Sequence, residues 1–372
     1  MIIEKFYNDY YGWWKNIDKL LLFLIFLMFL LGLFFSLVST SIIASDKLNT
    51  NTYYFFLKHF IFIFLGFLIL ISLSFLDQNK LLNFSKILFF ITFISLALVP
   101  FIGVEVKGST RWLDLPLVPR FQPIELVKPF FIIMIASVLS LSNYKNIYAK
   151  YLISLLIILP IILFLISQPD IGQTLLIILT WFSLIFVSGI NLYFFFSFFL
   201  FILSILAYLI FFISKFEYIK IRLLSFLDPS TGNNYQSQKA SEAISNGGFF
   251  GKGIGEGQLN SRIPEAHTDY IISVIAEEFG IIIVVSIMII FLIFAYKVLQ
   301  KIYFEKDDKI KLILVGSISL ILLQTFIHIG VNIRILPTTG MTLPFLSYGG
   351  SSILSTSILS GIILNLTKRK LN

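Results

Sequence analysis

The sequence of 372 residues contains no cysteine, which excludes disulfide bonds, thiolate metal sites and cysteine nucleophiles. It is also poor in charge, since 13% of its residues are Asp, Glu, Lys or Arg whereas 58% are hydrophobic. Such a chain has too little polar surface to enclose its apolar residues as a soluble domain. The composition therefore predicts a polytopic membrane protein without a soluble catalytic domain.

Histidine is scarce as well, occurring only as His59, His267 and His328. These residues lie in separate segments whose spacing does not match that of metal ligands, so the sequence does not predict a zinc site. The net charge of +8 is in part the excess of basic residues that cytoplasmic loops of membrane proteins carry. It does not require a nucleic-acid partner.

Long hydrophobic runs are the main feature that is present. Runs of about 17 to 25 apolar residues, separated by polar loops, predict an all-α integral membrane protein that forms a single domain over residues 1–372. The ten expected transmembrane helices lie near residues 20–39, 57–76, 87–103, 124–141, 151–167, 172–189, 192–214, 270–296, 311–331 and 348–366. Lys and Arg are more frequent in the segments that lie inside when both termini are cytoplasmic, so we expect that orientation.

Residues 215–269 form the one long polar segment, which we expect to be a large extracytoplasmic loop between the seventh and eighth helices. Long ordered loops are more often functional than connective. Residues 218–227 have the amphipathic pattern of a helix that lies at the membrane interface. Residues 246–257 are rich in glycine, and their backbone N–H groups are suited to surround an anion with Lys252 as the counter-charge. A flexible loop without a ligand is the alternative.

The stretch from residue 262 to residue 280 is where we expect the chemistry. Its acids and its histidine are Glu265, His267, Asp269, Glu277 and Glu278. The apolar run after them, residues 281–295, is too short at about 1.5 Å per residue to cross a hydrocarbon core of about 30 Å. The span is therefore expected to begin near residue 270 and to bring both glutamates below the outer interface, where an acid is costly unless it is paired or faces water. A structural alternative exists for Asp269, because an acid in the first helical turn is favourable.

Three other polar groups lie near predicted helix ends. Arg111, beside Trp112, is suited to bind a phosphate through two hydrogen bonds, or to accompany an aromatic ring at the membrane interface. Glu125 and Lys128 are three residues apart on one helix face and are expected to pair. Asp170 is placed to cap the sixth helix.

Residues 334–352, which include Ser347, crowd Gly, Pro and hydroxyl groups at membrane depth. Irregular backbone is tolerated there only where it is buried in protein or lines a cavity. The alternative is that these small residues let helices pack closely.

Taken in chain order, these segments resemble the motifs of the SEDS family (shape, elongation, division and sporulation) of bacterial peptidoglycan glycosyltransferases. The matching segments are residues 108–112, 122–128, 168–172, 264–270, 276–280 and 343–352. Residues 227–232, 246–253 and 337–345 look most like the division branch, and the rod-elongation branch is the alternative. The sequence departs from the family at Ile124, where Ser or Ala is usual, and at residues 270–272, where Phe-Ile-Phe is usual.

The resemblance implies that the chain polymerises lipid II by inverting glycosyl transfer, with release of undecaprenyl pyrophosphate. Asp269 matches the essential acid of the family and would serve as the general base. The residues expected to bind substrate are Arg111, Glu125, Lys128, Lys252, Glu265, His267 and Ser347, and those expected to support the site are Asp170, Glu277 and Glu278. No cofactor is implied beyond a divalent cation that Asp269 and neighbouring acids would hold.

The implied partners are lipid II, the undecaprenyl-linked glycan strand, a class B penicillin-binding transpeptidase and other divisome membrane proteins. The implied location is the bacterial cytoplasmic (inner) membrane at the division septum. Two other classes of function remain open at this stage. A lipid II flippase would need alternating access, and the sequence shows no inverted repeat of broken helices. A structural scaffold of the divisome would not account for Lys128, Glu277 and Glu278.

Overall fold

The computed structural model describes residues 10–48, 53–106, 109–116, 118–141, 147–228, 235–259, 263 and 266–369. Residues 10–16 are helical. The helices that follow are α1 (Lys19–Leu48), α2 (Tyr54–Phe75), α3 (Gln78–Ile102), α4 (Pro123–Leu139), α5 (Ile147–Ser167), α6 (Ile171–Val187), α7 (Leu192–Phe212), α8 (Glu217–Leu227), α9 (Tyr235–Gly247), α10 (Ile271–Phe279), α11 (Ile281–Phe304), α12 (Asp308–Asn332) and α13 (Gly350–Leu366). A 3₁₀ turn, Ser214–Phe216, joins α7 to α8, and the strands are β1 (Val104–Val106), β2 (Ser109–Leu115) and β3 (Val118–Phe121).

The predicted class, an α-helical integral membrane protein, is confirmed. Among the described residues, seven helices are long and apolar enough to cross a membrane, namely α1, α2, α3, α5, α7, α11 and α12. The predicted spans near 124–141, 172–189 and 348–366 coincide with α4, α6 and α13, which have 17 residues each. These three are largely buried, so protein rather than lipid surrounds most of their surface. The count of ten spans and the orientation stay predictions.

The span predicted near residues 270–296 is interrupted, which corrects the expectation of one continuous helix. Helices α10 and α11 meet at Gly280, whose φ of 81° lies in the left-handed region. A Cβ at this position would collide with the backbone carbonyl of Phe249. Glycine alone satisfies both requirements, because it has no Cβ and adopts positive φ freely. The break lets the glycine-rich part of the large loop pack against the junction of the two helices.

The segment between α3 and α4 forms a small antiparallel sheet in the order β1-β2-β3, which the sequence analysis did not anticipate. Thr110 pairs with Glu105, and Leu113 pairs with Phe121. Strands of only three, seven and four residues give a weak sequence signal beside the long apolar runs. The sheet matters because β2 carries Arg111 to the beginning of α6.

Helices α4, α12 and α13 form the buried centre of the bundle, and α13 lies along α2. The side chain of Asn365 in α13 donates hydrogen bonds to the carbonyls of Leu73 (2.8 Å) and Leu76 (2.6 Å) at the end of α2. These bonds satisfy carbonyls that the end of a helix leaves unpaired. By contrast, α7 has no buried residue and lies at the periphery of the bundle. The rigid centre therefore includes α12 and the polypeptide that follows it, which hold the candidate site.

Candidate functional site

Asp269 lies in the turn before α10, and three consecutive carbonyl groups of this turn are each held by a different donor. The pairs are Tyr348 N–H to the carbonyl of His267 (3.0 Å), Ser347 Oγ to the carbonyl of Thr268 (2.6 Å) and Asn332 Nδ2 to the carbonyl of Asp269 (3.1 Å). All three donors belong to the segment from the end of α12 to the beginning of α13. The backbone of Asp269 is therefore fixed by parts of the chain that are distant in sequence.

Asn332 is fully buried at the end of α12 and uses both ends of its amide. Besides the carbonyl of Asp269, its Nδ2 donates to the carbonyl of His328 (2.8 Å). Its Oδ1 accepts hydrogen bonds from the backbone N–H (3.2 Å) and the hydroxyl (2.8 Å) of Ser273. Asn332 thus joins α12, the turn and the first turn of α10. The sequence analysis missed this residue, although an amide inside a predicted span was a usable signal.

The carboxylate of Asp269 lies beside Gly340. A Cβ added to Gly340 would stand 3.5 Å from Asp269 Oδ2, so the missing side chain leaves space next to the carboxylate. Gly340 itself has a φ of 71°, which favours glycine for a second reason. The acid is therefore held firmly through its backbone and has room beside its reactive end.

Arg222 of α8 is a cation near this site that the sequence analysis did not single out. Its Nη1 donates to the carbonyl of Thr338 (3.3 Å), in the segment that carries Gly340. Burial and the nearby guanidinium of Arg111 lower the pKa of Arg222, whereas the carboxylates of Asp269 and Asp170 raise it. An arginine remains charged at neutral pH under such influences. The amphipathic segment assigned to the membrane interface thus directs a guanidinium toward Asp269.

Arg111 holds the turn that leads into α6. Its side chain donates to the carbonyls of Gln168 (3.2 Å) and Pro169, and it lies 3.6 Å from the carboxylate of Asp170. Asp170 caps α6 as the sequence predicted, because its carboxylate accepts the N–H of Gln173 (3.4 Å). Arg111 retains 19% of its side-chain exposure. Its part in binding a phosphate stays a prediction, one that the partly open guanidinium permits.

Glu125 and Lys128 form the expected ion pair, with 2.7 Å between Lys128 Nζ and the carboxylate. Both side chains are buried. Gln173 donates to the other oxygen of Glu125 (2.7 Å), and Lys128 also donates to Gln324 (3.1 Å). Gln324 in turn donates to the carbonyl of Thr342 (2.9 Å). The ammonium is therefore neutralised inside the bundle, and a direct contact of Lys128 with substrate stays a prediction.

The glycine-rich stretch directs its backbone N–H groups at the chain's own acids. Three N–H groups donate to carboxylates: those of Gln258 and Leu259 to Glu277 Oε1 (3.1 and 3.0 Å), and that of Gly255 to Glu278 Oε2 (3.3 Å). Two more donate to backbone carbonyls: that of Lys252 to Glu277 (2.9 Å) and that of Gly253 to Glu278 (3.1 Å). Hydrogen bonds from N–H groups to carboxylates are among the strong ones. The two buried glutamates thus fasten the loop to the break at Gly280, and the side chain of Lys252 is exposed.

Comparison with known proteins identifies the family. The model of the family described as "Cell cycle protein", which groups FtsW, RodA and SpoVE, matches residues 18–372. The chain belongs to the FtsW/RodA/SpoVE family. This confirms the resemblance to the SEDS family that the motifs suggested.

Relatives within the FtsW/RodA/SpoVE family match over nearly the whole chain. A probable peptidoglycan glycosyltransferase FtsW of Caulobacter vibrioides is 30% identical over 358 residues, which cover 96% of this chain and 91% of the relative. A protein of the same description from Geobacter sp. strain M18 is 31% identical over 367 residues, which cover 95% of this chain and 98% of the relative.

Solved structures of the same family share the fold. A chain of a peptidoglycan synthase complex, described as coordinating polymerization and crosslinking, superimposes with a TM-score of 0.77 at 26% identity and covers 94% of this chain and 97% of that chain. The rod shape determining protein RodA of Thermus thermophilus gives a TM-score of 0.70 at 26% identity, with 95% and 97% covered.

His267, Glu265 and the possible metal ion are the remaining parts of the predicted site. His267 packs in an aromatic cluster, with ring centroids 5.6 Å from Phe55 and 5.5 Å from Tyr348. The ring of Tyr348 also stacks on His59, whose two ring nitrogens have no hydrogen-bond partner among the described residues. Glu265 lies outside the described residues. In the part of the chain that the structure describes, no three His, Asp or Glu side chains are grouped to hold a metal ion, and a divalent ion at Asp269 stays a prediction.

Proposed function

We propose that this chain polymerises lipid II into the glycan strands of peptidoglycan in septal wall synthesis during cell division, by inverting glycosyl transfer with release of undecaprenyl pyrophosphate. The observation that carries the proposal is the geometry of Asp269, an acid fixed through three consecutive carbonyls with the guanidinium of Arg222 near it. The FtsW relatives, named as probable peptidoglycan glycosyltransferases, support the same activity.

In the proposed reaction, a hydroxyl oxygen of the acceptor sugar forms a bond to the anomeric carbon of the donor. The hydroxyl proton passes to the carboxylate of Asp269, which acts as a general base. The bond between the anomeric carbon and the pyrophosphate oxygen breaks, and the electron pair leaves with the pyrophosphate. The fixed backbone of Asp269 and the space beside Gly340 suit this role, since a base must stand within hydrogen-bond reach of the hydroxyl.

The negative charge that develops on the leaving pyrophosphate requires cations. Arg111 is close enough to Arg222 to lower its pKa, and two guanidiniums are suited to bind two phosphate groups. Because both guanidiniums are in position before the reaction begins, they would stabilise the charge of the transition state electrostatically. Their mutual repulsion in the free protein would be relieved when the pyrophosphate binds.

The proposed partner is a class B penicillin-binding transpeptidase. The support is the likeness to a chain of a solved synthase complex that coordinates polymerization and crosslinking. Action at the septum of the bacterial inner membrane, beside other divisome proteins, is part of the same proposal. A rod-elongation role is the second candidate, which the likeness to RodA of Thermus thermophilus favours.

The decisive experiment incubates purified protein with fluorescent lipid II, with and without the transpeptidase and with and without a chelator. Glycan ladders on a denaturing gel are the expected product. If the protein with its partner binds lipid II but forms no ladders, the polymerase proposal fails and a transport assay for lipid II becomes the appropriate test. A loss of ladders with chelator, restored by a divalent cation, would support the proposed ion.

Asn332→Ala should lower kcat by about 10- to 100-fold and change the KM for lipid II less, because a displacement of about 1 Å in a reacting group can cost about 10²-fold. The measurement is initial rate against lipid II concentration, normalised to folded protein. Ser273→Ala is the matched control, since it removes the hydroxyl that bonds to Asn332 but leaves the donor to Asp269 in place. Equal loss of turnover in both variants would contradict a positioning role for Asn332.

Lys252→Ala should raise the KM for lipid II up to about fivefold at low ionic strength, as expected for an exposed cation that attracts an anionic substrate. The difference from wild type should shrink as salt is added, because the Debye length falls from about 10 Å at 0.1 M to about 3 Å at 1 M. Arg120→Ala is the control, since Arg120 is also exposed but is paired with Asp114 (2.9 Å). Equal KM values at low salt would remove Lys252 from substrate binding.

A further inference from the structure

A polar pocket, with a volume of about 400 Å³, lies beside the large loop. Its lining residues are Gln238, Ser241, Glu242, Ser245 and Asn246 of α9, together with Leu259 and Arg334. The residues of α9 recur at intervals of three and four, so they share one face of the helix. Most of them are amides and hydroxyls, which donate and accept hydrogen bonds without carrying charge. The volume lies in the range of about 300–1,000 Å³ that is usual for small-ligand sites.

The pocket is built from the elements that support Asp269. Arg334 lies two residues beyond Asn332, whose side chain donates to the carbonyl of Asp269 (3.1 Å). The N–H of Leu259 is held by the carboxylate of Glu277 (3.0 Å), and α9 packs against α10. A ligand in this pocket would therefore lie on the same side of the bundle as the candidate catalytic acid.

Arg334 occupies an unusual backbone conformation, with φ of 59° in the left-handed region. Hydrogen bonds from Arg334 N–H to the carbonyl of Val331 (3.2 Å) and from Ile335 N–H to that of Gly330 (2.7 Å) fix the turn. Non-glycine residues held in this sparsely populated region cluster at functional sites. The turn places the guanidinium on the pocket wall.

The charges of the pocket do not cancel one another. The carboxylate of Glu242 is paired with Lys239 at 2.5 Å. The guanidinium of Arg334 forms neither a hydrogen bond nor an ion pair with any described residue. The pocket therefore offers one uncompensated cation among amides and hydroxyls, a combination that suits an anion carrying further polar groups.

We propose that this pocket binds a carboxylate-bearing peptide, the stem peptide of the peptidoglycan precursor, with Arg334 holding a carboxylate. The inference rests on the proposed function and adds a peptide subsite to it. A guanidinium matches the planar fork of a carboxylate through two hydrogen bonds. The amides and hydroxyls of Gln238, Ser241 and Ser245 match peptide N–H and carbonyl groups. A single arginine balances a carboxylate, whereas the pyrophosphate is assigned to the pair Arg111 and Arg222.

The test compares two substrates and two proteins. Lipid II with free stem carboxylates and lipid II with those carboxylates amidated are each given to the full-length wild type and to Arg334→Gln, and kcat/KM is measured. The wild type should prefer the free acid by about tenfold, as expected for the loss of one charge-assisted pair. For both substrates, Arg334→Gln should show the kcat/KM that the wild type shows for the amidated substrate. The same preference in both proteins, or none in the wild type, would overturn the proposal.

Arg120→Gln is the matched control, because Arg120 is an exposed arginine of the outer sheet that pairs with Asp114 (2.9 Å). It should keep the full preference for the free acid. A second measurement does not depend on polymerisation: the dissociation constant of the soluble stem pentapeptide for each detergent-solubilised protein. If the wild type polymerises nothing, the proposed function fails, and weaker peptide binding by Arg334→Gln than by Arg120→Gln still decides whether the pocket binds the peptide.

Discussion

Replacing Asp269 by Asn should lower the rate of glycan-chain formation by about 10²–10⁴-fold, the usual contribution of a general base. Binding of lipid II should remain close to that of the wild type. Asn is nearly isosteric with Asp, and Asn332 Nδ2 holds residue 269 through its backbone carbonyl (3.1 Å), which the substitution does not change. The substitution therefore removes the proton acceptor and leaves the turn in place.

The measurement is the initial rate of ladder formation beside equilibrium binding of lipid II in detergent, for wild type and variant. Asp114→Asn is the control, because Asp114 is an exposed acid of strand β2 and its substitution should leave the rate unchanged. Ladders at the wild-type rate from Asp269→Asn would remove the residue from the role of base. A loss well beyond 10⁴-fold, with a parallel loss of stimulation by divalent cation, would show that Asp269 also holds a metal.

The same variant separates polymerisation from transport. A flippase needs no base at a glycosidic carbon, so transport of lipid II across vesicles would persist in Asp269→Asn if transport were the function. Loss of ladders together with unchanged lipid II binding supports the polymerase.

Features that depend on local spacing could be predicted from the sequence. Glu125 and Lys128 pair because residues three apart share a helix face, and Asp170 caps α6 because its carboxylate reaches the N–H of Gln173. The spans follow from runs of apolar residues in the same way. The two residues of the ion pair, and those of the cap, lie within one or two helical turns of each other, so each contact can be inferred from their spacing along the chain.

Features that depend on distant contacts could not be predicted. Asn332 reaches the carbonyl of Asp269 across 63 positions. Arg222 donates a hydrogen bond to the carbonyl of Thr338, 116 positions away, whereas the amphipathic pattern of α8 is equally typical of a helix on a membrane surface. The break at Gly280 follows from the approach of Phe249, a loop residue whose position no local pattern determines. The sequence therefore indicated the candidate acid and Ser347, which it assigned to substrate binding, but not Asn332 or Arg222.

Lys128→Met should destabilise the protein by about 3–5 kcal/mol, the usual effect of removing one partner of a buried ion pair. The physical reason is that Glu125 would keep a charge inside the bundle with Gln173 as its only remaining hydrogen-bond donor among the described residues (2.7 Å). The double variant Glu125→Gln/Lys128→Met should recover a large part of this loss, because a neutral Gln at residue 125 still accepts from Gln173. The remaining cost comes from Gln324, whose oxygen loses the Lys128 donor (3.1 Å) and stays buried, at about 1–3 kcal/mol.

Thermal unfolding of the four proteins of this double-mutant cycle measures the coupling, and ladder formation per folded molecule measures activity. Coupling well below about 0.5 kcal/mol would contradict a stabilising pair, since residues in contact usually show about 0.5–3 kcal/mol. The two measurements together decide the role of Lys128. If the double variant regains both stability and activity, the lysine serves only to neutralise Glu125. If Glu125→Gln forms ladders and the equally stable double variant forms none, the ammonium acts on the substrate.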